Sequence, residues 1–262
     1  DTTHSGSISL SDQRTMGMSS VIGTEDDSTA KQNVSAQYQL QLSSDFRLNT
    51  IFTEDYFSSE YDDSFPALLD ADNHFRSKSQ RVVVQPKWIG ESSSFVGRVS
   101  WATSSRDFVS SFPMYFEGGV MDVEGVFSTK FNTQLMGLIG LNHKQQEAQF
   151  SDKFSVDLTD YFLNLLYETN GFFEAQAGAR LSEHSTYGSN WTYHINPSLY
   201  FNFDSVYLRF HASMSSAFIA PSLYKLFDTY SGNQTLKPET NQSLEFGGSL
   251  FFPNGGQFQL VY

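Results

Sequence analysis

Apolar and polar residues alternate along most of this chain with a period of two. In VSAQYQLQLS, Val34, Ala36, Tyr38, Leu40 and Leu42 share one face, and Ser35, Gln37, Gln39, Gln41 and Ser43 share the other. VYLRFHA sets Val206, Leu208, Phe210 and Ala212 against Tyr207, Arg209 and His211. LEFGGSLFF sets Leu244, Phe246, Leu250 and Phe252 against Glu245, Gly247 and Ser249. Successive side chains of a strand point to opposite faces, so the pattern describes strands with one apolar and one polar face. About thirteen are expected, near 6–12, 34–43, 46–55, 79–88, 93–103, 114–129, 132–144, 155–167, 171–183, 190–203, 205–218, 240–252 and 257–262. Many exceed the roughly five or six residues of an ordinary strand. About nine to eleven residues suit a tilted crossing of a bilayer.

The connections between these strands alternate in length. SD, GESS, KF, TNG, D and PNGG are short, whereas 13–33, 56–78, 104–113, 145–154, 184–189 and 219–239 are expected to be long loops. Short turns at one end and long loops at the other are the pattern of an outer-membrane barrel. A soluble sandwich has no physical reason to place every long loop at one end. The apolar stripe then faces lipid and the Gln/Ser/Glu/Arg stripe faces a wet lumen, because only helices and closed barrels satisfy the backbone in hydrocarbon. Trp88, Trp101, Trp191, Tyr161, Tyr167, Phe201 and Phe203 lie where interfacial girdles are expected.

Composition excludes some classes. A net charge of −13 argues against a nucleic-acid partner, which needs a basic face. No run of 18 apolar residues offers a transmembrane helix. G-x-S-x-G, H-E-x-x-H, P-loop and G-x-G-x-x-G motifs are all missing, and the six histidines show no ligand spacing, so no enzyme is expected. One segment, EDYFSSEYDDSFPALLDADN, crowds carboxylates and aromatics together. Asp62, Asp63, Asp70 and Asp72, with Glu60 in reserve, are candidate ligands for Ca²⁺, which takes six to eight oxygens. The alternative is a solvated acidic loop. Tyr56, Tyr61, Phe65, Tyr115 and Tyr230 are the candidate stacking contacts for a bulky ligand at the external mouth.

The stretch SSAFIAPSLYKLFDTYSGNQTLKPETNQSLEFGG interrupts a strand with a proline, a helical turn beginning at Pro221 and a polar loop, and then resumes the alternation. Its apolar residues Leu223, Leu226 and Phe227 are expected to fold back over the barrel mouth. The stretch closely resembles the signature of TonB-dependent outer-membrane receptors, in which F-x-A-P-x-L-x-x-L precedes G-N-x-x-L-x-P-E and an E-x-G strand. Phe218, Ala220, Pro221, Leu223, Leu226, Gly232, Asn233, Leu236, Pro238, Glu239, Glu245 and Gly247 fit, and Gln234 departs from the usual proline. MGMSSV…EDDSTAKQNVSAQYQLQL and SSEYDDSFPALLDADN resemble the cobalamin-receptor branch.

That resemblance implies an all-β, antiparallel, up-and-down transmembrane barrel in the bacterial outer membrane. It implies about 22 strands, of which residues 1–262 supply about thirteen, with the plug and the C-terminal strands lying outside the sequence. It further implies import of a scarce, bulky small-molecule nutrient, cobalamin first, with energy from the TonB complex acting through the plug. A siderophore or glycan receptor and a structural or adhesive outer-membrane protein are the alternatives.

Overall fold

The computed structural model describes residues 3–18, 26–63 and 69–262. It contains one sheet of thirteen strands: β1 (Thr3–Thr15), β2 (Thr29–Gln41), β3 (Phe46–Asp63), β4 (Leu69–Ile89), β5 (Ser93–Val109), β6 (Met114–Lys130), β7 (Leu135–Gln149), β8 (Lys153–Glu168), β9 (Phe173–His184), β10 (Gly188–Phe203), β11 (Val206–Ile219), β12 (Glu239–Phe251) and β13 (Gln257–Val261). Their spatial order is their chain order, and each pairs antiparallel with its sequence neighbours. This is the up-and-down meander that the alternation predicts. A short helix, α1 (Leu223–Phe227), lies between β11 and β12.

Cross-strand register divides the side chains between two faces. One row runs Phe52, Val82, Trp101, Met121, and the next runs Ile51, Val83, Ser100, Asp122, Lys144. The first row belongs to the outer face, together with Ile139, Leu163, Leu165, Leu208, Phe246 and Leu250. Ile139 is 56% exposed, Leu163 46% and Phe246 52%, although all three are large apolar residues. An apolar surface this continuous needs a nonaqueous cover. All seven expected girdle aromatics lie on this face.

The inner face is polar at mid-height. The Arg98 guanidinium donates to Asp122 at 2.9 and 3.2 Å and reaches Glu124 at 3.4 Å, while Asn142 also donates to Asp122. Lys144 lies 3.8 Å from Asp122, Arg180 lies 3.9 Å from Asp160, and Ser182 donates to Asp160. Opposite charges on adjacent strands thus hold one another across β5–β9. Three inward rings fill glycine notches on a neighbouring strand: Phe162 over Gly140, His194 over Gly178 and His211 over Gly247. A Cβ at Gly247 would lie 2.2 Å from the His211 ring.

The turns at one end are tight and satisfied by their own side chains. The Asn132 carboxamide oxygen accepts from the backbone of Gln134 and Leu135, and the Thr169 hydroxyl oxygen accepts from Phe173. Asp204 adopts a φ of 32° in the two-residue turn between β10 and β11. Short polar side chains tolerate that left-handed region and bond to nearby backbone.

The opposite end differs from expectation. Most of 56–78 is not loop: β3 and β4 continue as a paired hairpin to Asp63 and Leu69, with a bulge after Tyr61. Likewise 104–113 and 145–154 are largely strand, and 184–189 shortens to the three-residue turn Ser185–Tyr187. The asymmetry between the two ends therefore lies mainly in strands that outrun the bilayer. Strands of 16 to 21 residues, as in β3–β6 and β8, exceed the roughly nine to eleven needed to cross.

Candidate functional site

Above the apolar belt the two faces exchange character. Glu54, Lys78, Glu117, Glu147 and Lys153 now point outward, where Lys78 pairs with Glu54 and Lys153 with Glu147. The inward positions become aromatic. Phe57 lies 5.9 Å from Phe75, Phe75 is 4.7 Å from Phe108, and Phe108 is 6.2 Å from Phe116. The series continues through Phe150 at 6.1 Å to Phe154 at 6.3 Å. Phe57, Phe75, Phe108, Phe116, Phe150 and Phe154 thus form an aromatic ribbon across the upper inner wall from β3 to β8.

Helix α1 completes this wall. Ser222 caps it, its hydroxyl oxygen accepting from the Lys225 N–H, so the start of the helix lies after Pro221 rather than at it. Pro221 lacks a donor and ends the β11 ladder. Leu223 and Leu226 are buried, at 7% and 4% exposure, as the helix packs on β7 and β8. Phe227 stacks on Phe154 at 4.0 Å and 8°, and Tyr224 lies 6.1 Å from both Phe116 and Phe150. The expected fold-back over the mouth is present.

The polar residues after the helix tie the segment into shape. Asp228 accepts from the Tyr230 and Ser231 N–H groups and from the Ser231 hydroxyl. The Ser231 bonds hold its carboxyl below the usual carboxylate range. The Gly232 N–H returns to the Asp228 carbonyl, and a Cβ at Gly232 would lie 2.5 Å from that oxygen, so only glycine fits. The Asn233 N–H bonds the Lys225 carbonyl, and its side-chain oxygen takes the Thr235 N–H and hydroxyl.

Between α1 and the wall is a cavity of about 580 Å³, lined by Thr53, Asp55, Ser79, Arg81, Ala102, Ser104, Gly118, Val120, Gln146 and Ala148, with Ser222, Leu223 and Tyr224 opposite. Small side chains make the room. Arg81 faces this space, and Lys31 and Arg106 share the inward parity two levels higher, in the row of Phe57, Ser77 and Phe116. All three are exposed, and none forms an ion pair or side-chain hydrogen bond among the described residues. Asp55, the nearby carboxylate, accepts a 2.7 Å bond from Asn33.

The sequence-derived candidates are distributed unevenly. Tyr61 lies inward, opposite Asn73. Tyr56 and Tyr115 lie on the outer face, opposite Lys78 and Asp107; the Tyr115 hydroxyl donates to Glu117, which raises its pKa. Tyr230 is 82% exposed on the mouth segment. Phe65 and the Asp70 side chain lie outside the described residues. Asp62 accepts from the Ala71 N–H, Asp63 accepts from Asn73 and Asp72 is exposed. The bulge interrupts the alternation here, and the Asp62 and Asp63 carboxylates bond to separate partners on β4. Among the described residues no three His, Cys, Asp or Glu side chains gather closely enough to hold a metal. In the family-like motif, Phe218 lies opposite Thr240 and Glu239 opposite Ile219, the Leu236 carbonyl accepts from Tyr187, and Pro238 immediately precedes β12. These residues shape the segment rather than face the cavity.

Sequence reasoning missed the ribbon and the three inward cations. The signal that carries them is the change of phase along a strand: in MYFEGGVMDVEG the inward positions read Phe116, Gly118, Val120, and then Asp122, Glu124.

A family model described as TonB dependent receptor-like, beta-barrel, matches residues 2–262. Among solved structures, the siderophore receptor PirA from Pseudomonas aeruginosa superposes with a TM-score of 0.73 at 14% identity, over 90% of this chain and 46% of that one. A variant of the ferric enterobactin receptor PfeA from the same organism gives 0.70 at 13%, over 90% and 42%. The ferric-catecholate import receptor Fiu from E. coli K12 gives 0.75 at 9%, over 99% and 53%. The chain thus spans about half the length of these structures, and at such identities they speak for the fold. No curated protein matches by sequence.

Proposed function

The chain belongs to the TonB-dependent receptor β-barrel family, a transport-receptor family rather than an enzyme class, and from that premise we propose that it forms the ligand-binding wall of an outer-membrane importer for an anionic, aromatic iron chelate of the ferric catecholate type. The observation that carries this reading is the pairing of the aromatic ribbon with Lys31, Arg81 and Arg106, three inward cations without ion-pair partners among the described residues. In a chain of net charge −13, cations left unneutralised on the upper inner wall, Arg81 in the cavity and Lys31 and Arg106 in the row of Phe57 and Phe116, suit a ligand that brings its own negative charge. Planar rings stack on the ribbon, and guanidinium groups donate to anionic oxygens in paired geometry. The names of the structural neighbours, siderophore and ferric enterobactin receptors among them, agree with this class.

Cobalamin would meet the ribbon equally well but offers no cluster of anionic oxygens to the three cations, which ranks it second. Release into the periplasm would draw on the TonB complex through a plug, as the family name implies. Ca²⁺ at the β3–β4 hairpin stays a separate proposal: Asp63 would have to leave Asn73 and join Asp62, Asp70 and Asp72.

The test is ligand titration of the full-length receptor with a ferric tris-catecholate and with cyanocobalamin. The ferric catecholate should bind, and Arg81→Gln/Arg106→Gln should weaken it roughly tenfold or more, since a charge-assisted hydrogen bond contributes about 1.5–3 kcal/mol. Binding of cyanocobalamin alone, or a double variant with native affinity, would overturn the proposal.

A further inference from the structure

The three-residue turn between β9 and β10 touches the segment that walls the cavity. His184 ends β9 on the inner face, 7% exposed. Its Nδ1 lies 3.1 Å from the Thr186 N–H and accepts from it, which places the ring proton on Nε2. The imidazole packs 5.0 Å from the Tyr187 ring. The Tyr187 hydroxyl in turn donates to the Leu236 carbonyl at 3.2 Å. Three contacts thus lead from one imidazole to the far end of residues 220–238.

We infer that His184 is a proton-sensitive latch: uncharged, it holds the Ser185–Tyr187 turn and through Tyr187 the mouth segment against the inner wall, and protonation releases them.

The chemistry follows from the ring. A protonated imidazole is a donor at both nitrogens, so Nδ1–H would face the Thr186 N–H, donor against donor. The turn must then open or the ring must swing away, and either movement displaces Tyr187. Charged neighbours do little to prevent this. Across the sheet His184 faces Leu158 on β8 and Gly188 on β10, and Lys144 lies beyond Leu158 in the same row. Asp160, the nearest inward carboxylate along β8, is already bonded by Ser182. Glu183 points to the other face, as does Asp157, which meets the turn through its backbone. Lys237 adjoins Leu236 on the segment and is exposed.

Burial already holds His184 below the usual histidine range, because a covered ring disfavours charge. The latched state therefore prefers the neutral form, while a released ring titrates near its ordinary value of about 6.5. Latching is at full strength above that value and weakens as pH falls from it toward the depressed one.

The experiment places a nitroxide on Thr229→Cys in the full-length receptor, with a control label on Ser205→Cys in a turn at the opposite end. Between about pH 7.5 and about pH 5 the mobile fraction at 229 should rise at least roughly twofold while the control stays constant. His184→Asn keeps an acceptor near Nδ1 but cannot titrate, and should flatten the response. His184→Arg should be mobile at both pH values. A flat response in the native receptor, the same rise in His184→Asn, or an equal rise at the control label would overturn the latch.

Discussion

Placing a charge on the outer face tests the assignment of the two faces directly. Leu163 sits on β8 between Tyr161 and Tyr167, two outward aromatics of the girdle set, and shares a row with Ile139 and Ala179. It is already 46% exposed within the protein, so little packing is lost on replacement. The cost of Leu163→Arg is therefore chiefly the transfer of a guanidinium into lipid, about 2–4 kcal/mol at the midplane of a barrel. That lowers the folding equilibrium roughly 30- to 900-fold, at about 1.36 kcal/mol per factor of ten. The adjacent Asn164 faces inward and bonds His194 at 3.2 Å and Gln176 at 3.4 Å. Asn164→Arg loses those bonds, at about 0.5–1.5 kcal/mol each, but keeps its charge in the wet lumen. The assay is reversible denaturant unfolding of the full-length receptor in phospholipid vesicles. Leu163→Arg should be the worse of the two, by roughly 1 kcal/mol at the centres of these ranges. Equal costs, or Asn164→Arg the worse, would refute the face assignment.

Two further outcomes are expected. Gly247→Ala should cost about 1–3 kcal/mol in the same assay, because its Cβ meets the His211 ring and the ring must leave its notch; the double variant Gly247→Ala/His211→Ala should recover part of that loss. If the hairpin tip takes Ca²⁺, chelation should weaken ligand binding by the full-length receptor, Ca²⁺ but not Mg²⁺ should restore it, and Asp62→Asn/Asp63→Asn should remove the dependence; identical affinities throughout would dismiss the ion.

The strands and their faces were legible because lipid imposes the alternation. Leu40 against Gln39, or Leu208 against Arg209, gives the outward and inward sets without further information. Residues 219–239 were legible too, since Pro221 ends a ladder and Leu223, Leu226 and Phe227 form an apolar set that must be buried. Strand length at the mouth was not legible. Beyond the bilayer no lipid demands an apolar outward residue, so Ser58 and Ser105 read as loop although each is paired in a ladder. Tyr56 drew notice as a loop aromatic, and the extension of β3 fixes it outward instead; Tyr115, at the start of a strand expected from residue 114, is outward by its register with Asp107.

The same boundary explains why the inner wall escaped notice. Within the bilayer the outer face must be apolar and the lumen polar; above it the outer face meets water, and apolar side chains find cover on the inside, where rings pack on one another and under α1. A strand that crosses and continues must therefore reverse its pattern where it leaves the lipid. On β6 the outward set passes from Glu117 to Met121 and Val123, while the inward set passes from Phe116 to Asp122 and Glu124. On β8 the outward Ser155 and Asp157 give way to Tyr161 and Leu163, as the inward Phe154 and Val156 give way to Asp160 and Asn164. β3 reverses between Phe52 and Glu54 and has Phe57 inside above that level. A single period read over a whole strand averages the two halves and cancels them, which leaves the upper half looking irregular. Read as two segments of opposite phase, the same residues give the height of the membrane surface and identify each inward ring above it as part of an aromatic wall turned away from the lipid side, the surface on which the proposed ligand would stack.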